Sequence, residues 1–269
     1  MTPEALREAA EHLAELRRGG DAPREALEEL PEACRPGTLD EAYAVQEALR
    51  PLLAARGLGQ PSGWKIGCTT PVMQDYLSIP HPCAGTLFEA TTYAERAELR
   101  AADFLQLGLE CEIAVRLGAD IAARAEGHDR ESVAPAVGEV MASVEIVEHR
   151  FRDFTKVSTP SLVADDFFSC GCVLGAAVAP GEAGDLAALR GGFRIDGAPA
   201  EQSGEGAAIL GHPLNALAWL ADHAAGRGTP LRAGQVVTLG SVVKTIYPDA
   251  GSRIEARFEG LPPVAVEVL

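Results

Sequence analysis

Three features of the sequence predict an α+β architecture, a helical N-terminal region followed by a mixed β-sheet roll. Helical periodicity is concentrated in residues 1–60. Long segments that alternate apolar and polar residues dominate 61–269, which is the period-two signature of strands with one face on a core. Helices are then too few to cover both faces of a doubly wound parallel sheet, and no glycine-rich phosphate loop of the Rossmann or Walker type is present.

The elements follow in order. Residues 3–18 repeat apolar side chains at Leu6, Ala10, Leu13 and Leu16 behind Thr2-Pro3, so a helix is expected to run until Gly19-Gly20. A Pro36-Gly37 turn leads to a second helix, in which Thr38 and Glu41 have capping-box spacing. Tyr43, Gln46, Leu49 and Leu53 carry that pattern to about Arg56, with Gly57 as the stop. A short strand is expected at 63–67, then a proline-punctuated loop through Ile79-Pro80-His81-Pro82-Cys83. From Leu105 to Leu117 every odd position is apolar, which predicts a long strand. A short helix between Ser132 and Val140 should feed a second long strand at 140–147. Pro213 to Ala225 reads as a helix ended by Gly226, and Arg253 to Glu259 as a closing strand. The expected division is a helical region over 1–60 and a β-rich domain over 61–269.

At 269 residues and 47% hydrophobic composition the chain can bury a large core. A formal net charge of −16, with no basic patch beyond the adjacent pair Arg17-Arg18, argues against nucleic-acid and anionic-membrane partners. The six cysteines lie mostly in apolar runs without CxxC spacing, which fits reduced thiols; Cys170-Gly171-Cys172 reads as small residues in a core strand. The N-terminus has no apolar signal region and no stretch reaches membrane-span length, so a cytoplasmic setting is expected.

The chemistry centres on Glu110-Cys111-Glu112 and Glu145. Two carboxylates leave the same face of one strand, where joint ionisation is unfavourable without a cation between them. Glu145 lies inside the apolar run Val140–Val147, so it must be paired or metal-bound. An oxygen-only donor set describes a Mg²⁺ or Mn²⁺ site better than a zinc site. An i, i+2 glutamate pair alone is often only a solvated strand face. Its context here is what raises it.

Trp64-Lys65-Ile66-Gly67-Cys68-Thr69-Thr70, Gly85-Thr86-Leu87, Glu110-Cys111-Glu112-Ile113-Ala114, Glu145-Ile146-Val147 and Ala164-Asp165 occur in the order and spacing of one family. With them the chain resembles the hydratase and decarboxylase branch of the fumarylacetoacetate hydrolase superfamily, typified by 2-oxopent-4-enoate hydratase, over almost its full length. The resemblance implies the β-roll of that family's C-terminal domain, Mg²⁺ or Mn²⁺ on Glu110, Glu112 and Glu145, and a 2-oxo acid chelated through its carboxylate and keto oxygens. It implies that Lys65 supplies a second positive charge or exchanges a proton. It also implies a small-molecule substrate contacted around Asp165, Phe168 and Ser169, and a homo-oligomer.

Two departures from the family stand out. Cys83 occupies the place where pentenoate hydratases usually have an Asp, leaving Cys83 and the nearby His81 as candidates for handling the proton of water addition. Asp165-Asp166-Phe167-Phe168-Ser169 replaces an Asp-Asn followed by small residues, which implies a pocket of altered shape or greater hydrophobicity. A 2-oxo-3-enedioate decarboxylase using the same chelation remains an alternative, with Arg152 or Lys244 as candidates for a second carboxylate. A C–C bond hydrolase using His12 and Glu15, and a non-catalytic oxo-acid binder, are more distant ones.

Overall fold

The computed structural model describes residues 1–17 and 24–269; Arg18 and the Gly19-Gly20 stop lie outside the described residues. Helix α1 (Pro3–Leu16) starts where Thr2 accepts a hydrogen bond from the Ala5 amide, and buries Ala9, Ala10, Leu13, Ala14 and Leu16. Helix α2 (Leu39–Leu53) is capped by Thr38, which accepts from Glu41 N at 3.2 Å. The capping box does not close in the expected way. Glu41 reaches past the cap and accepts from Gly37 N at 2.8 Å. The helix continues into a single π turn, Ala54–Leu58, in which Gly57 takes a φ of +96° that only glycine adopts freely.

The remaining elements are β1 (Pro61–Gly67), α3 (Pro71–Leu77), β2 (Cys83–Phe88), β3 (Thr92–Ala94), β4 (Arg96–Leu99), β5 (Leu107–Leu117), α4 (Arg130–Val133), β6 (Val137–Glu148), α5 (Thr159–Ala164), β7 (Ser169–Leu174), α6 (Pro180–Ala183), β8 (Arg190–Ile195), β9 (Ala198–Glu205), α7 (Pro213–Gly226), β10 (Val236–Ser241), β11 (Arg253–Phe258) and β12 (Val264–Val268). They form a seven-stranded mixed sheet in the order β2-β1-β10-β5-β6-β7-β3 and a five-stranded sheet in the order β4-β12-β11-β8-β9. The fold is therefore α+β, with N-terminal helices and mixed sheets. Among the described residues no helix is long and apolar enough to cross a membrane.

One hydrophobic cluster runs from α1 and α2 through the large sheet to β12. Gln46 of α2 is fully buried, and its amide donates to Ala84 O at 2.9 Å and Val163 O at 2.5 Å, so the helical region is tied to β2 and α5. The alternation in β5 correctly separates two faces, but the polar one is solvated only at its ends: Leu109, Cys111, Ile113 and Val115 pack on one side, while on the other Glu110 and Arg116 are partly exposed and Glu112 is 0% exposed.

Candidate metal centre and active site

Antiparallel pairing of β5 with β6 sets Glu110 directly opposite Glu145, and Glu112 opposite Ser143. Directly opposed residues share a face, so three carboxylates converge on one side of the large sheet. Their candidate ligand atoms all lie within 4.8 Å of one another. A small apolar cluster of Leu87, Ala114, Met141, Cys172, Leu174 and Val236 adjoins them as a dry floor.

Lys65 arrives from β1, across β10, and places Nζ 3.0 Å from Glu145 Oε1, with both side chains buried. Gly240 N donates to Glu112 Oε2 at 3.1 Å, and Thr245 Oγ1 donates to Glu110 Oε1 at 2.5 Å. Hydrogen-bond donors are still lacking: Lys65 serves Glu145 Oε1, but Glu112 Oε1 and Glu145 Oε2 are buried without one, and the hydroxyls of Ser143 and Thr238 nearby have no partner. Buried polar atoms of this kind are rare in native proteins and require a partner. Oxygen-only donors, buried and short of protons, fit a hard divalent cation.

The electrostatics follow from the same geometry. Burial, and then the charges of Glu145 and Glu110, push the Glu112 carboxyl well above the usual carboxylate range. Burial pushes Glu145 up to about 7 against the opposing pull of Lys65. Burial alone would depress the Lys65 ammonium, yet the surrounding glutamates outweigh it and hold it above its ordinary value.

A second charged layer lies behind this one. Arg150, fully buried, donates to Asp165 Oδ2 at 2.7 Å, to Glu148 Oε2 at 3.3 Å and to the carbonyls of Asp165 and Ser169, both at 3.1 Å. Arg17, at the end of α1, donates to Asp166 Oδ2 at 3.0 Å and Ser169 O at 2.5 Å, and lies 3.1 Å from Asp165 Oδ1. Between these two arginines Asp166, Phe167 and Phe168 take φ values of +53°, +48° and +68°. A left-handed backbone costs such residues roughly 1–2 kcal/mol each, so the turn persists because the arginines and Thr86 N, which donates to Asp166 Oδ1 at 3.1 Å, hold it. Its product is the placement of Phe167, whose ring centroid is 4.9 Å from Lys65 Nζ and whose edge occupies the space a side chain at Gly67 would need.

Of the residues singled out from sequence, the structure brings Lys65, Glu110, Glu112, Glu145 and Cys83 to one sheet face, Cys83 lying across from Gly67 on β2. His81 sits elsewhere, its Nδ1 2.8 Å from Pro82 O and its ring 6.0 Å from that of Trp219 on α7. Both carboxylate oxygens of Asp165 face arginines, so it acts as an internal counter-ion. Phe168 stacks on His149 at 5.0 Å, and Ser169 Oγ donates to Thr86 O at 3.2 Å. His149 itself is pushed down to about 4 by burial, with Arg150 adding to the effect, and its Nε2 lies 3.2 Å from Tyr247 Oη. Arg152 is a surface residue paired with Glu28 at 2.7 Å, and His12 pairs with Glu8 along its own helix. Arg17, Arg150 and Thr245 were not recognisable from sequence as parts of this assembly, whereas Phe167 stood in the segment whose two phenylalanines implied an altered pocket.

A family model described as fumarylacetoacetate (FAA) hydrolase C-terminal matches residues 75–269. The chain is 35% identical over 254 residues to a 2-keto-4-pentenoate hydratase of Paraburkholderia phymatum, covering 94% of this chain and 95% of that one. It is 34% identical over 233 residues to a 2-hydroxyhexa-2,4-dienoate hydratase of Comamonas testosteroni, covering 86% of each. Among solved structures, 4-oxalocrotonate decarboxylase from Pseudomonas putida G7, complexed with magnesium and adipate, superposes with a TM-score of 0.86 at 28% identity, over 100% of this chain and 99% of that one.

Proposed function

The chain belongs to the fumarylacetoacetate hydrolase family, and from that membership we propose that it is a hydro-lyase adding water to 2-hydroxy-2,4-dienoates, the enols of 2-oxo-4-enoates, to give 4-hydroxy-2-oxo acids. The observation that carries the reading is the buried set of Glu110, Glu112 and Glu145 with Lys65 against it, in a chain whose hydratase relatives align over most of its length. The three glutamates hold one divalent cation, Mg²⁺ or Mn²⁺. A cation held by these residues would supply Lewis-acid polarisation of the substrate's 2-oxygen. Lys65 is the proton-exchanging group, because its ammonium is fixed at the carboxylate cluster and shielded from water by Phe167. Phe168 and Ser169 help shape the far wall. Cys83 lines the same face as a pocket-wall residue, where the neighbouring Cys68 and burial raise its thiol above its ordinary value.

The arginines near the site favour hydration over decarboxylation of an enedioate, which needs a cation for its second carboxylate. Arg150 and Arg17 are occupied by Asp165 and Asp166, and Arg152 by Glu28. Incubating the Mg²⁺-loaded protein with 2-hydroxypenta-2,4-dienoate and, separately, with a 2-oxo-3-enedioate tests this. Loss of the dienol absorbance with formation of the 4-hydroxy-2-oxo acid is the expected result; CO₂ release from the enedioate with no hydration of the dienoate would replace it with the decarboxylase reading.

The division into a helical region over 1–60 and a β-rich catalytic domain over 61–269 is part of the proposal, supported by the family match over 75–269. So is a homo-oligomer in the cytoplasm. Outer strands such as β9 present an edge that a second copy would cover. Light scattering at micromolar concentration should give at least twice the monomer mass, and a monomer would refute it.

Cation binding should also change stability in a pH-dependent way. Glu145 keeps its proton up to about 7 in the fold, against an ordinary 4.5, so between those values the folded chain binds more protons than the unfolded one. The stability present below pH 4.5 is therefore lost as pH rises through about 7 in the metal-free protein. Mg²⁺ should then raise the melting temperature more at pH 8 than at pH 5, and an equal shift at both, measured by calorimetry, would contradict this.

A further inference from the structure

We propose that Glu8, His12 and Cys34 form a second metal site, selective for a borderline-soft divalent cation of the Zn²⁺ class and separate in place and chemistry from the glutamate trio. A carboxylate oxygen of Glu8, an imidazole nitrogen of His12 and the Cys34 sulfur all lie within 4.8 Å of one another. Two segments of the chain supply them. Glu8 and His12 stand one turn apart on α1, so the helix holds both on one face. Cys34 ends a turn in which its amide donates to Pro31 O at 3.0 Å. Arg35 braces that turn by donating from Nε and Nη2 to Leu30 O at 3.0 and 2.8 Å.

The three groups meet without satisfying one another. His12 Nε2 is 3.9 Å from Glu8 Oε1, beyond hydrogen-bond range. Cys34 is 1% exposed and makes no hydrogen bond among the described residues, so the turn fixes its sulfur without committing it. The Glu8 and His12 side chains are 53% and 38% exposed, which gives a cation an open route from solvent and leaves a coordination position for water. Tetrahedral zinc takes Cys, His and Glu at about 2.0–2.3 Å, which sets its ligand atoms about 3.3–3.6 Å apart. Rotation of the two exposed helix side chains closes the difference.

Donor type sets the selectivity. Mg²⁺ demands oxygen and is served by Glu110, Glu112 and Glu145, whereas a sulfur, nitrogen and oxygen set suits Zn²⁺. As the metal–sulfur bond forms, the Cys34 proton leaves to solvent, and the thiolate and the Glu8 carboxylate together balance the charge of the ion. Because the ligands come from α1 and from the turn at 31–34, the bound ion staples the first helix to the chain that follows it.

The test is a Co²⁺ titration of the EDTA-stripped full chain, returned first to saturating Mg²⁺ so that the glutamate trio is filled. Sulfur ligation gives Co²⁺ an intense near-ultraviolet charge-transfer band that oxygen ligands do not. The expected result is such a band, saturating at one Co²⁺ per chain, erased by added Zn²⁺ and missing in Cys34→Ser. In His12→Ala, half-saturation should need about ten-fold more Co²⁺ or beyond, since losing a ligand costs at least what losing an outer-shell partner does. That second variant, on the exposed side of the helix, keeps the test decisive if Cys34→Ser does not fold. No band at millimolar Co²⁺, a band that survives Cys34→Ser, or one that His12→Ala leaves unchanged would overturn the proposal.

Discussion

Glu112→Gln is expected to abolish both cation retention and turnover while leaving the fold intact. Glu112 is the central member of the trio: it is fully buried, with one oxygen held by Gly240 N and the other without a donor. The amide keeps the size and can still accept from Gly240, but it removes the charge that a hard cation requires. It also relieves the repulsion that Glu110 and Glu145 exert on this position. The metal-free variant should therefore melt at or above the temperature of the metal-free parent, while Mg²⁺ no longer raises it. Calorimetry with and without EDTA, together with a turnover assay, reads both effects. Retained Mg²⁺ stabilisation in Glu112→Gln would place the cation elsewhere.

Lys65→Met carries the second large expectation, a fall in kcat of about 10²–10⁴-fold, the range for loss of a positioned acid–base group. Methionine preserves the apolar stem beneath Phe167 and deletes the ammonium 3.0 Å from Glu145. Cation affinity should be kept or raised, since a competing positive charge is removed from the carboxylates. That separation of turnover from metal binding distinguishes a chemical role for Lys65 from a scaffolding one. A parallel loss of both would assign it to holding the glutamates in place.

The parts of this molecule that sequence exposes are those written in short-range spacing. The alternation through Leu105–Leu117 locates β5 and puts Glu110 and Glu112 on one face, because side-chain direction in a strand depends only on parity. The apolar surroundings of Glu145 mark it as needing a partner. What parity does not contain is register, and the pairing of Glu110 with Glu145 is a property of the β5–β6 ladder. The arginine layer was illegible for a similar reason. Arg17 and Asp165 are far apart in the chain, and an arginine in a helix tail usually reads as a surface charge. The left-handed turn at Asp166–Phe168 has no glycine to announce it, and tertiary hydrogen bonds override the local preference of those residues. The failed capping box at Thr38 shows the opposite limit: the right residues stand at the right spacing, but Glu41 finds Gly37 N instead.

The position of β10 has a consequence for biosynthesis. This strand is the tenth of twelve to leave the ribosome, yet it lies between β1 and β5, pairing in parallel with the first and antiparallel with the second. Until residues 236–241 emerge, β1 and β5 face each other across an empty slot, each with an unpaired row of amides and carbonyls. Sheet closure must therefore wait for β10, and its long sequence separations make it slow. A nascent chain halted before Val236 is the species most exposed to illicit strand pairing.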